Sequence, residues 1–180
     1  MQRNSLPSFQ RGLSLIEGCI VLAIASILVG TAVPSFIDTN KKVTLDGGAS
    51  ELATDLYLAR SEAVARQEGV RVSFHAVAGG SCLLIHTGAT ADCGCDGGGV
   101  AQCTNGAALV KSVFYPASRG VSVAANVASM RFDQTNGTVS PAGTVRLTAS
   151  TGPEVRHVVN IMGRVRTCSP GGLAKGYKVC

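Results

Sequence analysis

Tryptophan is absent, and aromatic residues make up only 4% of the 180-residue chain. That scarcity excludes an aromatic stacking platform for single-stranded nucleic acid. Charge is also scarce, at 15% of residues against about 25% in an average globular chain. The three histidines, His75, His86 and His157, are not accompanied by a serine or cysteine nucleophile motif. No phosphate-cradling glycine loop follows a strand pattern. The chain therefore does not read as an enzyme, and the histidines read as strand residues. Cys82, His86, Cys93, Cys95 and Cys103 lack the paired Cys-x-x-Cys spacing of a zinc site, and Asp92 and Asp96 match a calcium loop only loosely. No metal or cofactor is expected.

What the chain does contain is a long apolar run interrupted once. Gly12 is followed by Leu13-Ser14-Leu15-Ile16-Glu17, and then by uncharged residues to Val33. Residues 13–33 would span about 31 Å as a helix, enough to cross a bilayer. An ionised glutamate inside hydrocarbon costs about 2.5–3.5 kcal/mol on insertion scales, so Glu17 needs a partner. An amine freed by cleavage after Gly12 would serve, in this copy or in a neighbouring subunit. A secretory signal has a shorter apolar core with its cut site behind it, whereas here the glycine stands in front. The leader carries Arg3 and Arg11 as its only charges, which keeps it cytoplasmic and sends the C-terminal part across the membrane.

Glycine, apolar residues and glutamate in this order resemble the class III signal of type IV pilins and type II secretion pseudopilins. The resemblance implies that a prepilin peptidase of the inner membrane cuts after Gly12 and methylates Leu13. It also implies that Glu17 guides entry into a filament of other pilins. Leu13 stands where the family most often has Phe, and Ser14 where Thr is commoner. Three later stretches resemble the FimT/GspH branch of minor pilins. These are Asp55-Leu56-Tyr57-Leu58-Ala59-Arg60-Ser61-Glu62-Ala63, Met130-Arg131-Phe132-Asp133 with Asn136-Gly137, and Val158 to Arg166 with its Gly-Arg-x-Arg ending. The last is read as that branch's terminal strand. A proline at the place of Pro34 also recurs in the family.

Periodicity agrees with such a fold. Leu45, Ala49, Leu52, Ala53, Leu56, Ala59, Ala63 and Val64 recur at helical spacing, and Gly69 is the expected helix stop. Beyond it the period shortens. Strands are expected at 70–75, 82–86, 110–115, 129–133, 144–149 and 155–161, with a hairpin turn over Gln134-Thr135-Asn136-Gly137. The expected fold class is α+β: a type IV pilin fold with a long N-terminal helix, its first half transmembrane, packed on an antiparallel β-sheet domain. The expected divisions are a leader at 1–12, the helix at 13–68 with its membrane half at 13–33, and a β domain at 69–180.

Cys19 lies in the apolar run and packs there as a small apolar residue. Six further cysteines form an even set, which reads as three disulfides in an oxidising periplasm. Cys168 and Cys180 are expected to close a short C-terminal loop. Six cysteines allow 15 pairings, and those of Cys82, Cys93, Cys95 and Cys103 stay open. The stretch between His86 and Leu109, outside the family pattern, reads as a glycine-rich loop held by disulfides.

The net charge is +5, or 14 − 11 = +3 once the two leader arginines are removed. Its distribution says more than its total. From Pro153 to Cys180 the basic residues are Arg156, Arg164, Arg166, Lys175 and Lys178, and the only acid is Glu154. In a strand Arg164 and Arg166 would face one way, about 7 Å apart, and arginine binds phosphate through a planar fork. The resemblance implies DNA binding by this region, as in FimT-type pilins of naturally competent bacteria. Contact would be independent of DNA sequence and made by Arg164, Arg166, Lys175 and Lys178. Two plainer readings are a solvated edge that prevents sheet-to-sheet pairing and a surface for a protein partner. The leading reading is a minor type IV pilin of the inner membrane with a periplasmic C-terminal domain, found in the pilus after processing. The alternative is a minor pseudopilin of a type II secretion system.

Overall fold

The computed structural model describes residues 14–150 and 152–180, with the side chains of 31–38 excepted. The expected leader and the cut between Gly12 and Leu13 lie outside the described residues. One helix, α1, runs over Leu15–Arg66. Ser14 caps its start by accepting a hydrogen bond from the Glu17 amide at 3.3 Å, so Glu17 occupies the third helical position of a capping-box spacing. The helix ends differently from expectation. Gln67, not Gly69, takes the left-handed conformation, with φ at 52°. Glu68 N then donates to Ala63 O and Gln67 N to Val64 O, a Schellman closure that satisfies the last carbonyls.

The chain divides into two compact units, one ending at Asn40 and the other covering Lys41–Cys180. In the first unit Leu15, Ile16, Ile20, Val21, Leu22, Ile24, Ile27, Leu28 and Val29 are all exposed. A helix apolar all round requires lipid or other helices around it. Among the described residues, no helix is long and apolar enough to cross a membrane; the expected span, 13–33, extends past both ends of the residues whose side chains are described.

The second unit carries eleven strands: β1 Val70–Val77, β2 Gly80–Thr87, β3 Cys93–Cys95, β4 Ala101–Cys103, β5 Leu109–Pro116, β6 Val121–Ala125, β7 Ser129–Phe132, β8 Val139–Ser140, β9 Gly143–Ala149, β10 Glu154–Val159 and β11 Val165–Cys168. They form three antiparallel sheets, in the orders β5-β2-β1-β7-β8, β11-β10-β9-β6 and β3-β4. Both larger sheets lay an apolar face against one stripe of α1. Leu45, Ala49, Leu52, Leu56, Ala59 and Ala63 share a core with Val70, Val72, Leu83, Ile85, Val145, Leu147, Val155 and Val159. Of the helical face read from the sequence, Val64 is exposed and Ala53 half-buried, because the stripe advances by alternate steps of four and three residues.

The expected terminal strand over 158–166 is in fact two strands. It folds back at Asn160–Arg164, where the Asn160 carboxamide oxygen accepts from Met162 N and Arg164 N at 3.1 and 3.0 Å. Asn160 N also donates to Arg164 O. A side chain that binds the backbone two and four residues on forms a turn in place of a ladder.

Candidate functional site

Arg166 lies in β11 and Arg164 immediately before it, at the close of the β10–β11 turn; both are exposed. The glycine of the Gly-Arg-x-Arg sequence has a structural reason. Gly163 takes φ at 71°, and a Cβ there would stand 2.4 Å from Gly137 O. Gly137, itself left-handed at 61°, lies under the side chain of Arg60 from α1, which donates to Asn136 O. The expected Asn-Gly turn is thus longer than two residues. It runs from Asp133 to Thr138, with Asp133 Oδ2 accepting from Thr135 N and Asn136 N, and only its glycine is left-handed. Those bonds, led by the one from Thr135, hold the Asp133 carboxyl below the usual carboxylate range. The two sequence motifs of the branch therefore meet as stacked turns beneath one helical arginine.

The chain after β11 is pinned rather than free. A disulfide joins Cys168 to Cys180. Ser169 N donates to Lys178 O, Cys180 N to Ser169 O, and the Ser169 hydroxyl to Glu154 O. Ala174 is buried in the main core, which leaves Lys175 and Lys178 exposed. The four expected DNA-contacting cations are therefore all in solvent.

Strand register adds two arginines that the sequence reading did not join to them. Arg146 of β9 stands directly opposite Arg156 of β10, and Val158 of β10 opposite Arg166 of β11. Opposed residues share a face, so Arg146, Arg156 and Arg166 lie on one side of the four-stranded sheet. This is the side away from the buried Val145, Leu147, Val155 and Val159. The ion pairs of the described residues are Arg66–Glu62, Lys111 with Glu51 and Asp55, and Arg156–Glu154. Arg146, Arg164 and Arg166 have no acidic partner among them. The signal that could have found Arg146 is the alternation Thr144, Arg146, Thr148 along β9.

The other large sheet is capped on its outer side. Disulfides Cys82–Cys95 and Cys93–Cys103 fasten the β3–β4 hairpin over β2 and β5. Cys82, Leu84 and Cys93 make a second small core, with Ala101, Ala107 and Phe114 against it. Asp92 and Asp96 shape this loop from within: Asp92 accepts from Ala89 N and Asn105 Nδ2, and Asp96 from Gly98 N and Val100 N. Among the described residues, no cluster of His, Cys, Asp or Glu is arranged to hold a metal ion.

The histidines sit within strands. His86 is buried, its Nδ1 donating to Thr87 O and its Nε2 hydrogen-bonded to Ser73 Oγ. His157 is buried on the inner face of β10 beside Thr167 Oγ1, and burial pulls its pKa down to about 4. On α1, Asp55 is buried and meets Lys111 Nζ of β5 at 2.6 Å. Burial raises the Asp55 carboxyl, while Lys111 opposes that rise.

The domain lays antiparallel sheets on one helix, preceded by a largely apolar helical stretch whose side chains are exposed. A family model described as type II transport protein GspH matches residues 48–163. The chain belongs to that family and is a minor pilin or pseudopilin. Two crystal structures of the type IV minor pilin FimU from Pseudomonas aeruginosa strain PAO1 share the fold. One, in space group P21, is 19% identical over 71% of this chain and 92% of that chain, with a TM-score of 0.50. The other, in space group P65, is 20% identical over 70% and 97%, also at 0.50. No curated protein matches the chain.

Proposed function

We propose that the chain is a minor type IV pilin that enters a pilus through its N-terminal helix and contacts DNA through its basic C-terminal region. The observation that carries the DNA part is the exposure of Arg164, Arg166, Lys175 and Lys178, with no acidic partner for any of them among the ion pairs of the described residues. Contact is sequence-independent, because nothing in the sequence resembles a base-reading helix. Four phosphate contacts give a slope of about −3.6 for log K against log salt on duplex DNA. Arg164→Ala with Arg166→Ala removes about half of that slope and weakens binding on all sequences alike. Equal binding by the double variant in a gel shift would return the tail to a solvated edge.

Assembly begins, in this reading, with a prepilin held once across the inner membrane, its C-terminal domain periplasmic. A prepilin peptidase cleaves after Gly12 and methylates Leu13, and Glu17 pairs with a freed amine in the filament. The exposed apolar side chains of the first unit support this, since they need a partner surface. Glu17 lies in the first turn of α1, so the isosteric Glu17→Gln tests the charge with little change of shape at the helix start. Mass spectrometry of the mature N-terminus checks the cut, and an intact Met1 would overturn it. The description of the matching family favours a second reading, a pseudopilin of type II secretion. A secretion defect with intact piliation in a deletion strain would select that reading.

A further inference from the structure

We propose that the exposed face of the four-stranded sheet, with Arg146 in β9, Arg156 in β10, Arg166 in β11 and Arg164 at its edge, forms a DNA-contact surface that seats successive phosphates. This rests on the DNA reading above and moves its centre from the C-terminal tail to the sheet.

Two arginines placed directly opposite across an antiparallel pair repel each other. The described residues contain two such pairs, and they are treated differently. Arg71 and Arg131 oppose each other across β1 and β7. There Arg71 donates to Gly88 O and Ser129 Oγ, Asp92 adds a favourable charge, and Arg131 Nη2 reaches Gln134 Oε1. Arg146 and Arg156 have less. Glu154 binds Arg156 through Nε, which leaves the two terminal amino groups of that fork without a partner among the described residues, and Arg146 has no acidic partner among them. Glu154 compensates Arg156 on one side of its fork only; Arg146 has no such compensation among the described residues, and an anion would supply it.

The spacing suits a phosphodiester backbone. Arg146 and Arg156 stand about 5 Å apart at the backbone. Arg166 lies one strand further and two residues along, about 8 Å from Arg156. Flexible side chains on such a row reach neighbouring phosphates of one nucleic-acid strand. The face between them is small or uncharged: Thr144 and Thr148 of β9, Val158 of β10, Ser122 and Ala124 of β6, with Cys168 of β11, opposite Arg156, buried and tied to Cys180 at one corner. Glu154 is its single acid and is already tied to Arg156. A sheet face of small side chains lets a duplex approach closely, and arginine forks bind phosphate with two donors at once.

The test uses the full chain in non-ionic detergent and a fluorescent 30-base-pair duplex, titrated from 50 to 300 mM salt. Wild type is compared with Arg146→Gln/Arg156→Gln and with Lys175→Gln/Lys178→Gln. The sheet-face variant is expected to flatten the log–log salt slope by about 1.8 and to weaken binding roughly 10- to 100-fold near 100 mM salt. Its thermal midpoint should hold or rise, which separates lost contact from lost fold, and Arg146→Lys/Arg156→Lys should recover most of the slope. An unchanged slope and affinity in the sheet-face variant would overturn the inference. Loss confined to the lysine variant leaves the DNA reading standing and removes the sheet face from it. A wild-type chain that binds no duplex at 50 mM salt overturns both, and equal binding of polyglutamate would reduce the face to a general polyanion surface.

Discussion

The two large sheets share one helix and one core, yet their outer faces differ. The five-stranded sheet is roofed by the β3–β4 hairpin and two disulfides, so β2 is buried from Ser81 through Thr87 without a break. The four-stranded sheet has no such hairpin over it among the described residues; only at its β11 edge is Cys168, opposite Arg156, buried and tied to Cys180. There β9 and β10 alternate buried and open positions, and the open ones include Arg146 and Arg156. A strand dry on both faces spends its side chains on packing; a strand wet on one face is free to carry chemistry. The roofed sheet is therefore where substitutions should cost stability, and the bare sheet is where they should change binding.

Removing the roof should have the largest effect. Replacing Cys82, Cys93, Cys95 and Cys103 with Ser opens two short, overlapping loops. In the chain-entropy model each is worth about 3 kcal/mol, and the two together about 4–6 kcal/mol. It also exposes Leu84 and Phe114. Urea denaturation should show the loss in the midpoint, and ANS fluorescence should rise. A variant of wild-type stability would mean that the sheet needs no cover, and the contrast between the faces would fail.

A sharper probe leaves the roof in place. Leu84 is fully buried in the small outer core, so Leu84→Ala should cost about 2–5 kcal/mol through lost contact and a residual cavity. Thr144→Ala, at an open position of β9, should cost well under 1 kcal/mol. Equal costs measured by chemical denaturation would show that the bare face is covered after all.

This division was only half legible in the sequence. The alternation of β9 and β10 was visible, because one wet face imposes period two. The roof was not, because Cys93-Gly94-Cys95 and Ala101-Gln102-Cys103 carry too little apolar periodicity for a strand, and cysteine counting leaves the pairings of Cys82, Cys93, Cys95 and Cys103 open. Strand β6 was missed because Val121-Ser122-Val123-Ala124-Ala125 is short and small. The helix stop was misplaced because Gln67, an unremarkable residue, takes the left-handed position. The Arg146–Arg156 opposition depends on register between two strands, which no local pattern encodes. The exposed cations near the C-terminus were legible from charge alone.

Acidification tests whether the inner face of the bare sheet is as dry as that of the roofed one. His157 has a pKa of about 4 in the folded chain, against about 6.5 unfolded. The unfolded state thus binds more protons between these values. The stability His157 contributes is present above pH 6.5 and is lost as pH falls towards 4, by about 3 kcal/mol at most. His86 and His75 are shifted down by burial in the same direction. Unfolding free energy measured from pH 7 to 4.5 should fall, and His157→Gln should flatten that fall while leaving the carboxylate titration at lower pH. An unchanged pH profile in the variant would mean that water reaches the imidazole.

The smallest effect on stability should come from Arg146→Gln. Its side chain is in solvent, so little apolar contact is lost. The direct opposition to Arg156 is relieved, and like charges opposed across a pair cost a few tenths of a kcal/mol. The change should therefore be zero or a gain of up to about 0.5 kcal/mol at low salt. Because the repulsion is between exposed charges, half a molar salt should screen it and erase the gain. Denaturation at 20 mM and 500 mM salt distinguishes this from a packing effect, which salt would not remove. A loss above about 1 kcal/mol would show that Arg146 is held by something on this face, and the bare sheet would then be a second covered one.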